Sequence, residues 1–458
     1  MIDKPLWGGR FSGEPAEAAR LAGSNPEADM LLAPHDIRAS IAHVRALEDA
    51  GIVSPEDATA IEQALEKIGD RPFRDVFKAS DEDIHLAHER NLAEELGDVG
   101  AKIHAGRSRN DLVVTDFRLW LLEQGNDLAE SIGSLAGSLS ARAAETAEMP
   151  MPGSTHNRPA QVVTMGYVLA AHAFGLVRDL ERLAQWSSRT RTSPLGAGAL
   201  ATSTLGLDPA KTAERLGFDR PFLNALDAVS DRDFALEFLA VASILAVHLS
   251  RIAADLARWS EPAHGYVELD EAFTTGSSMM PQKRNPDVLE LVRGKAGRIA
   301  GDLTALTQVL AGLPSGYHRD LQEDKQPVFD AVSTLKNSMP ALTGCIETAH
   351  FDAERMRSDA EDPELYATDI AEALVKSGLP FREAHMRIGE VLKRLDEEKR
   401  TLRDLSSDEW ANLGLPAGSK MLDPDSSVRA RNMPGGPAPE RVLQQCDAIR
   451  AALSSISS

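Results

Sequence analysis

Cysteine is nearly missing: the 458 residues hold two, Cys345 and Cys446, far apart in the chain. Two distant thiols give neither a disulfide framework nor a four-thiolate zinc site, and they fit a reducing, cytoplasmic compartment. Basic charge is also short. With 49 basic side chains against 70 acidic the formal net charge is −21, and no Lys/Arg-rich run is interleaved with aromatics. Nucleic acid is therefore not an expected partner. No uninterrupted apolar run reaches the roughly 18 residues of a membrane span. The stretch 1–13 carries Trp7, Arg10 and several glycines in place of a signal peptide's apolar centre. Neither secretion nor membrane insertion is predicted. Also missing are the GxxxxGK[ST] phosphate loop, the GxGxxG fingerprint, the GxSxG elbow and the HExxH zinc helix. His85, His88 and Glu89 lie close in sequence but match no metal motif. No metal is predicted.

What is present is ordinary for a folded soluble protein: 43% hydrophobic and 26% charged residues. From about Asn110 onward apolar residues recur every three or four positions, the period of a helix face. Phe117, Leu121, Leu128, Ile132, Leu135 and Leu139 form one such stripe, in a stretch 111–147 stopped by Pro150 and Pro152. Val162 to Leu183 and Phe234 to Trp259 read the same way. A fourth helix follows Pro286 to Leu310, and a fifth runs from Pro327 past Leu342, with a bend at Pro340. Alternating strands are not seen. Helices of about 30 residues, roughly 45 Å long, must cover one another in a bundle, and surplus apolar faces favour oligomerisation. After about Ala353, shorter helices separated by Pro- and Gly-containing loops predict a small C-terminal domain. The expected organisation is an all-α chain with segments 1–110, 111–353 and 354–458.

Four segments carry chemistry-bearing side chains. His104-Ala105-Gly106-Arg107-Ser108-Arg109-Asn110-Asp111 sets two guanidinium groups before a long helix, a place suited to carboxylates, although on this segment alone Ser108 or Asn110 as an N-cap, with the arginines in a solvated turn, is the favoured reading. The Gly/Pro-rich connection 152–159 holds His156, whereas His172 and His248 fall within helical patterns and read as structural. The segment 276–287 combines Gly276, Ser277, Ser278 and Lys283. There Lys283 could favour a developing oxyanion or a deprotonated Ser277. The segment 317–325 mixes Tyr317, Gln322 and Lys325 before the fifth helix, and alone reads as a solvated helix start.

Taken together, these segments resemble the argininosuccinate lyases of the fumarase/aspartase superfamily, over essentially the whole chain. The superfamily pattern GSSxMPxKxN is present at 276–285; WGGRF at 7–11, DEDIH at 81–85, GRSRND at 106–111 and DLQEDK at 320–325 point to the argininosuccinate lyases. The resemblance implies a fumarase/aspartase-like fold in three domains and a homotetramer built on a shared helical core, each active site drawing on three subunits. It also implies reversible cleavage of argininosuccinate to arginine and fumarate, with no cofactor. By residue-by-residue match, Ser277 is the base, with Lys283 easing its alkoxide, and His156 the acid, paired with Glu290. Asn110, Thr155 and Asn285 bind the succinyl end, Tyr317, Gln322 and Lys325 contact the rest of the substrate, and Arg109 is a further carboxylate ligand. A substrate-binding serine of the family aligns with Asn25, beside Ser24.

The chain departs from the family pattern at Asn157-Arg158-Pro159 after the histidine, at Asn25, and at Ala105, where a threonine is usual. The first departure keeps a second reading open: a lyase releasing fumarate from another N-succinyl amine. A third, a non-catalytic structural protein like the lens crystallins that resemble this family, sits poorly with intact Ser277, Lys283, His156 and Glu290.

Overall fold

The computed structural model describes residues 16, 18, 19, 23, 26–78 and 81–456. The WGGRF run, Ser24 and Asn25 lie outside the described residues. Among the described residues the longer helices of the N-terminal part are α1 (Pro26–Asp49), α2 (Pro55–Gly69) and α3 (Ile84–Leu96). Five long ones follow: α4 (Arg109–Glu145), α5 (Met165–Thr190), α6 (Asp233–Ser260), α7 (Asp287–Leu310) and α8 (Lys325–Thr348). Among the C-terminal helices are α9 (Phe381–Glu398) and α10 (Pro439–Ile456). Local chemistry sets several starts. Ser54 accepts the Asp57 N–H ahead of Pro55, and Asp83, within the DEDIH run, accepts the Leu86 N–H.

Two expectations are corrected. The stretch from Val162 is not helical until Met165, because residues 150–164 form a hairpin of β1 (Pro150–Thr155) and β2 (Arg158–Thr164). Three prolines within ten residues, Pro150, Pro152 and Pro159, make a helix costly here, and Val162, Val163 and Thr164 are β-branched. Strands are also present elsewhere as two-residue ladders, including antiparallel β3 (Thr275–Gly276) with β4 (Arg284–Asn285). Pieces that short show no alternation in sequence. Helix α8 starts two residues before Pro327 and continues through Pro340.

The chain divides into two compact units. The first comprises Met1–Leu128, Arg182–Ser243 and Arg298–Thr334, the second Ala129–Glu181, Ile244–Gly297 and Leu335–Ser458; every boundary falls within one of the five long helices. In the first unit Phe117 meets Phe234 and Phe329 edge-on at 5.3 and 6.0 Å, and Trp186 donates its indole N–H to the Phe234 carbonyl at 2.7 Å. A separate apolar cluster there includes Val44, Leu47, Ile61, Leu65 and Ile84 of α1 to α3. In the second unit Ile370, Leu374, Ile388, Leu395 and Trp410 form the C-terminal core. His172 and His248 are structural, as expected: His172 Nε2 lies 2.9 Å from Asp255 and His248 Nδ1 2.6 Å from Asp179. Helix α6 is long and apolar enough by composition to cross a bilayer, yet Phe234, Phe238, Leu245 and Ile252 on it are buried inside the protein. Ile244 and Val247 of α6 and Leu291 of α7 stay exposed.

Gly125 lies where Trp186 packs on α4, and a Cβ there would come 2.5 Å from the indole Cζ3. Gly125→Ala is therefore expected to destabilise the protein by about 1–3 kcal/mol, read as a lowered denaturation midpoint, despite alanine's better helix propensity.

Candidate active site

At the start of α4, Ser108 is the cap: its Oγ accepts the Asn110 N–H at 3.2 Å while Asp111 Oδ1 accepts the Ser108 N–H at 3.1 Å. The other Asp111 oxygen accepts the N–H groups of Gly196 (3.0 Å) and Gly198 (2.8 Å). Burial raises the Asp111 carboxyl to about 6, with these donors working against it. Asn110, half-buried, donates Nδ2–H to the Ala199 carbonyl at 3.1 Å. Arg109 is occupied by the chain's own carboxylates: its Nε lies 2.8 Å from Asp83 Oδ2 and its Nη1 3.9 Å from Glu82.

Beneath this segment lies a buried polar network. Arg107 donates to Ser40 Oγ at 2.8 Å and to Glu89 at 2.9 Å, and His104 pairs with the same Glu89 oxygen. Burial works to raise the Glu89 carboxyl, but these two neighbours bring it down to about 2. Burial, reinforced by Arg107, pushes His43 down to about 3, so a neutral ring donates to the Ala105 carbonyl at 2.9 Å. Asp36 takes His85 at 2.7 Å and His88 on its other oxygen. Asp116 is fully buried, accepts no hydrogen bond among the described residues, and is raised well above the carboxylate range by burial and then by Asp36. Asp36, His85 and Asp116 thus bring donor atoms of metal-ligating type within 4.8 Å of one another, although Asp36 is already committed to both histidines. Spacing in sequence could not show this, because the three residues come from α1, α3 and α4.

In the same unit, Tyr317 and Gln322 are half-buried, and burial raises the Tyr317 hydroxyl. Lys325 is buried instead of facing solvent. Its ammonium donates to Asp324 at 2.6 Å and lies 5.8 Å from the Phe117 ring centre, while Asp324 also pairs with buried Arg232. The segment that read as a solvated helix start is in part a core ion cluster.

The second unit carries the histidine and the Ser/Lys segment. The two-residue connection of the β1–β2 hairpin is His156-Asn157, with φ of +53° and +58°, so both central residues are left-handed, as in a type I′ turn. Asparagine tolerates that region, whereas for other L-residues it costs about 1–2 kcal/mol. The departure at Asn157 thus suits the turn it occupies. Register shifts between Gly153 and Ser154, leaving Ala160 unmatched as a bulge beside Pro159. A proline, having no N–H for the ladder, belongs at such a position. Thr155, His156 and Asn157 are exposed, and Asn157 Oδ1 accepts from Arg258 Nη1 at 3.2 Å.

Ser277 follows β3 directly and is half-buried; its Oγ accepts the N–H groups of Met279 at 3.3 Å and Met280 at 3.1 Å. Lys283 is exposed in the same loop, held by a backbone bond to the Met280 carbonyl, and Asn285 lies on β4. Glu290, on the first turn of α7, is 3.9 Å from Arg293 and borders a cavity of about 610 Å³ that Asn157 also lines. Among the described residues no hydrogen bond joins His156 to Glu290 or Ser277 to Lys283 within the chain. The predicted residues therefore form two groups, Arg109, Asn110, Tyr317, Gln322 and Lys325 in one unit and Thr155, His156, Ser277, Lys283, Asn285 and Glu290 in the other.

Residues 9–301 match a family described as Lyase, and residues 364–429 match one described as Argininosuccinate lyase C-terminal. The chain is 46% identical to the argininosuccinate lyase of Frankia casuarinae, covering 98% of each chain. It is 44% identical to that of Acidothermus cellulolyticus, covering 98% of this chain and 94% of the other. Among solved structures, an EDDS lyase variant with bound fumarate superposes with a TM-score of 0.84 at 27% identity, covering 98% of this chain and 92% of that one.

Burial disfavours charge on His85, but Asp36, then Asp83 and Asp116, outweigh it and raise its pKa from 6.5 to about 9. A group with a raised folded pKa stabilises fully below its unfolded value and loses that contribution as pH climbs through the folded value. The denaturant midpoint is expected to fall between pH 6.5 and 9, with a smaller fall in Asp36→Asn, where the partner charge is gone.

Proposed function

This chain belongs to the argininosuccinate lyase family, within the fumarase/aspartase superfamily, and from that premise we propose that it eliminates fumarate reversibly from argininosuccinate to give L-arginine, the last step of arginine biosynthesis. The observation that carries the reading is near-full-length identity of 43–46% to several argininosuccinate lyases together with the matching C-terminal family.

The chemistry follows from the groups in hand. Elimination removes a weakly acidic proton beside a succinyl carboxylate, and charge builds on that carboxylate before the carbon–nitrogen bond breaks. Ser277 takes the proton. An isolated serine is far too weak a base, but its Oγ already accepts two backbone N–H groups, and Lys283 in the same loop adds positive charge, both of which favour an alkoxide. His156, with Glu290 as its carboxylate, gives a proton to the departing guanidino nitrogen, and the two roles exchange in the reverse direction. Asn110, Thr155 and Asn285 hold the succinyl end, and Tyr317, Gln322 and Lys325 face the arginine portion; Arg109 joins the carboxylate ligands only by giving up Asp83 and Glu82.

Because neither expected side-chain pair closes within one chain, and because Ile244, Val247 and Leu291 leave apolar surface on two long helices, the working unit is a cytoplasmic homotetramer with active sites shared between subunits. The segments 1–110, 111–353 and 354–458 serve as its domains, the middle one supplying the helices of the shared core. A second reading, a fumarate-releasing lyase for another N-succinyl amine, draws on the likeness to the fumarate-bound EDDS lyase variant, but that identity is far lower than to the argininosuccinate lyases.

Two measurements test this. Purified protein mixed with argininosuccinate should raise ultraviolet absorbance from fumarate, and Ser277→Ala should lower kcat by roughly 10²–10⁴-fold at unchanged fold. No absorbance change from correctly assembled protein removes argininosuccinate as substrate. Sedimentation should give about four times the 49.4 kDa chain mass.

A further inference from the structure

The β1–β2 hairpin ends in an unusually bare tip. Within the single chain His156 and Asn157 are both exposed, both left-handed, and stand just beyond a bulge, so neither the subunit's own core packing nor an unbroken ladder fixes where the imidazole points. Among the described residues one hydrogen bond reaches these two residues from outside the hairpin, Arg258 Nη1 to Asn157 Oδ1 at 3.2 Å. Arg258 lies in the last turn of α6, flanked by buried Leu256, Ala257 and Trp259, and a cation at a helix C-terminus is favoured by the backbone carbonyls there. Arg258, Asn157 and Glu290 line one cavity of about 610 Å³ together with Arg293 and Glu261, which puts the anchor beside the carboxylate assigned to His156.

We propose that Arg258 is a positioning residue: by holding Asn157 it sets the orientation of the turn, and through the turn the direction in which His156 presents its proton to the departing nitrogen. This rests on the reading of His156 as the acid. It also gives the departure at Asn157 a purpose, since the residue that tolerates the left-handed turn is the one that supplies the carbonyl for the arginine. Leaving-group protonation is demanding in angle as well as distance, and small displacements of a catalytic group cost rate far more than binding.

The test uses the assembled full-length enzyme with Arg258→Gln, Arg258→Lys, Asn157→Gly and the Gln/Gly double variant; glycine keeps the left-handed conformation while removing the amide. Arg258→Gln and Asn157→Gly should each lower kcat about tenfold with KM within about twofold, the double variant should be no slower than the slower single, and Arg258→Lys should recover most of the rate. The rate at which diethyl pyrocarbonate modifies His156, followed by peptide mass spectrometry, should change in the same variants at unchanged denaturation midpoint. Additive losses in the double variant, or an unchanged kcat in Arg258→Gln, overturn the proposal. If the parent enzyme releases no fumarate from argininosuccinate, the assigned reaction fails instead. The modification rate then still decides whether Arg258 orients the tip, and equal rates in all variants exclude it.

Discussion

The carboxylate of Asp111 is the point on which the first unit's half of the site hangs. It accepts three backbone N–H groups, one that closes the cap of the longest helix and two from the glycines of a loop about 85 residues later in the chain. The Gly198 donor is buried and the other two are partly so; a buried donor left unpaired would cost about 1–3 kcal/mol. The same anchor brings Ala199 to Asn110, so a candidate substrate ligand is placed by a residue that never needs to touch substrate. Around it, Arg107, Glu89 and His43 fix the preceding turn by the same means, polar groups satisfied largely away from water, with His104 closing the network from the surface side.

The polar residues of this chain therefore divide by burial. Those that hold the scaffold, Asp36, His85, Arg107, Asp111, Asp116, Arg232 and Asp324, are inside, where a missing partner is expensive. Three of the four residues assigned to catalysis, His156, Lys283 and Glu290, are exposed on the single chain, and the fourth, Ser277, is half-buried. Lys325 breaks the division. It was singled out for the substrate but spends its ammonium on Asp324, so any contact with substrate has to compete with a buried ion pair.

Much of this was legible in the sequence. Three-to-four-residue spacing located all five long helices, and the motifs 106–111 and 276–285 singled out two segments that the structure places at the start of α4 and around the β3–β4 ladder. Hidden from that reading were features made by residues distant in the chain. Nothing near His85 announces Asp36 or Asp116, and nothing near Asn157 announces Arg258, because each meeting is made by helix packing and not by a local pattern. The hairpin at 150–164 was missed for a different reason. Its apolar residues continue into the stripe of α5, and only the three prolines and the β-branched run 162–164 distinguish strand from helix there.

Both thiols lie inside the second unit, Cys345 on α8 and Cys446 on α10, and burial lifts the Cys345 thiol to about 11. Almost no thiolate exists there at neutral pH, and thiolate is the form that alkylating reagents attack. The natural chain is in effect a blank background for cysteine chemistry: one cysteine introduced at an exposed position such as Ser278 would be the single reactive thiol per subunit, ready to carry a fluorophore or spin label into the loop that holds the serine, with no native residue to remove first.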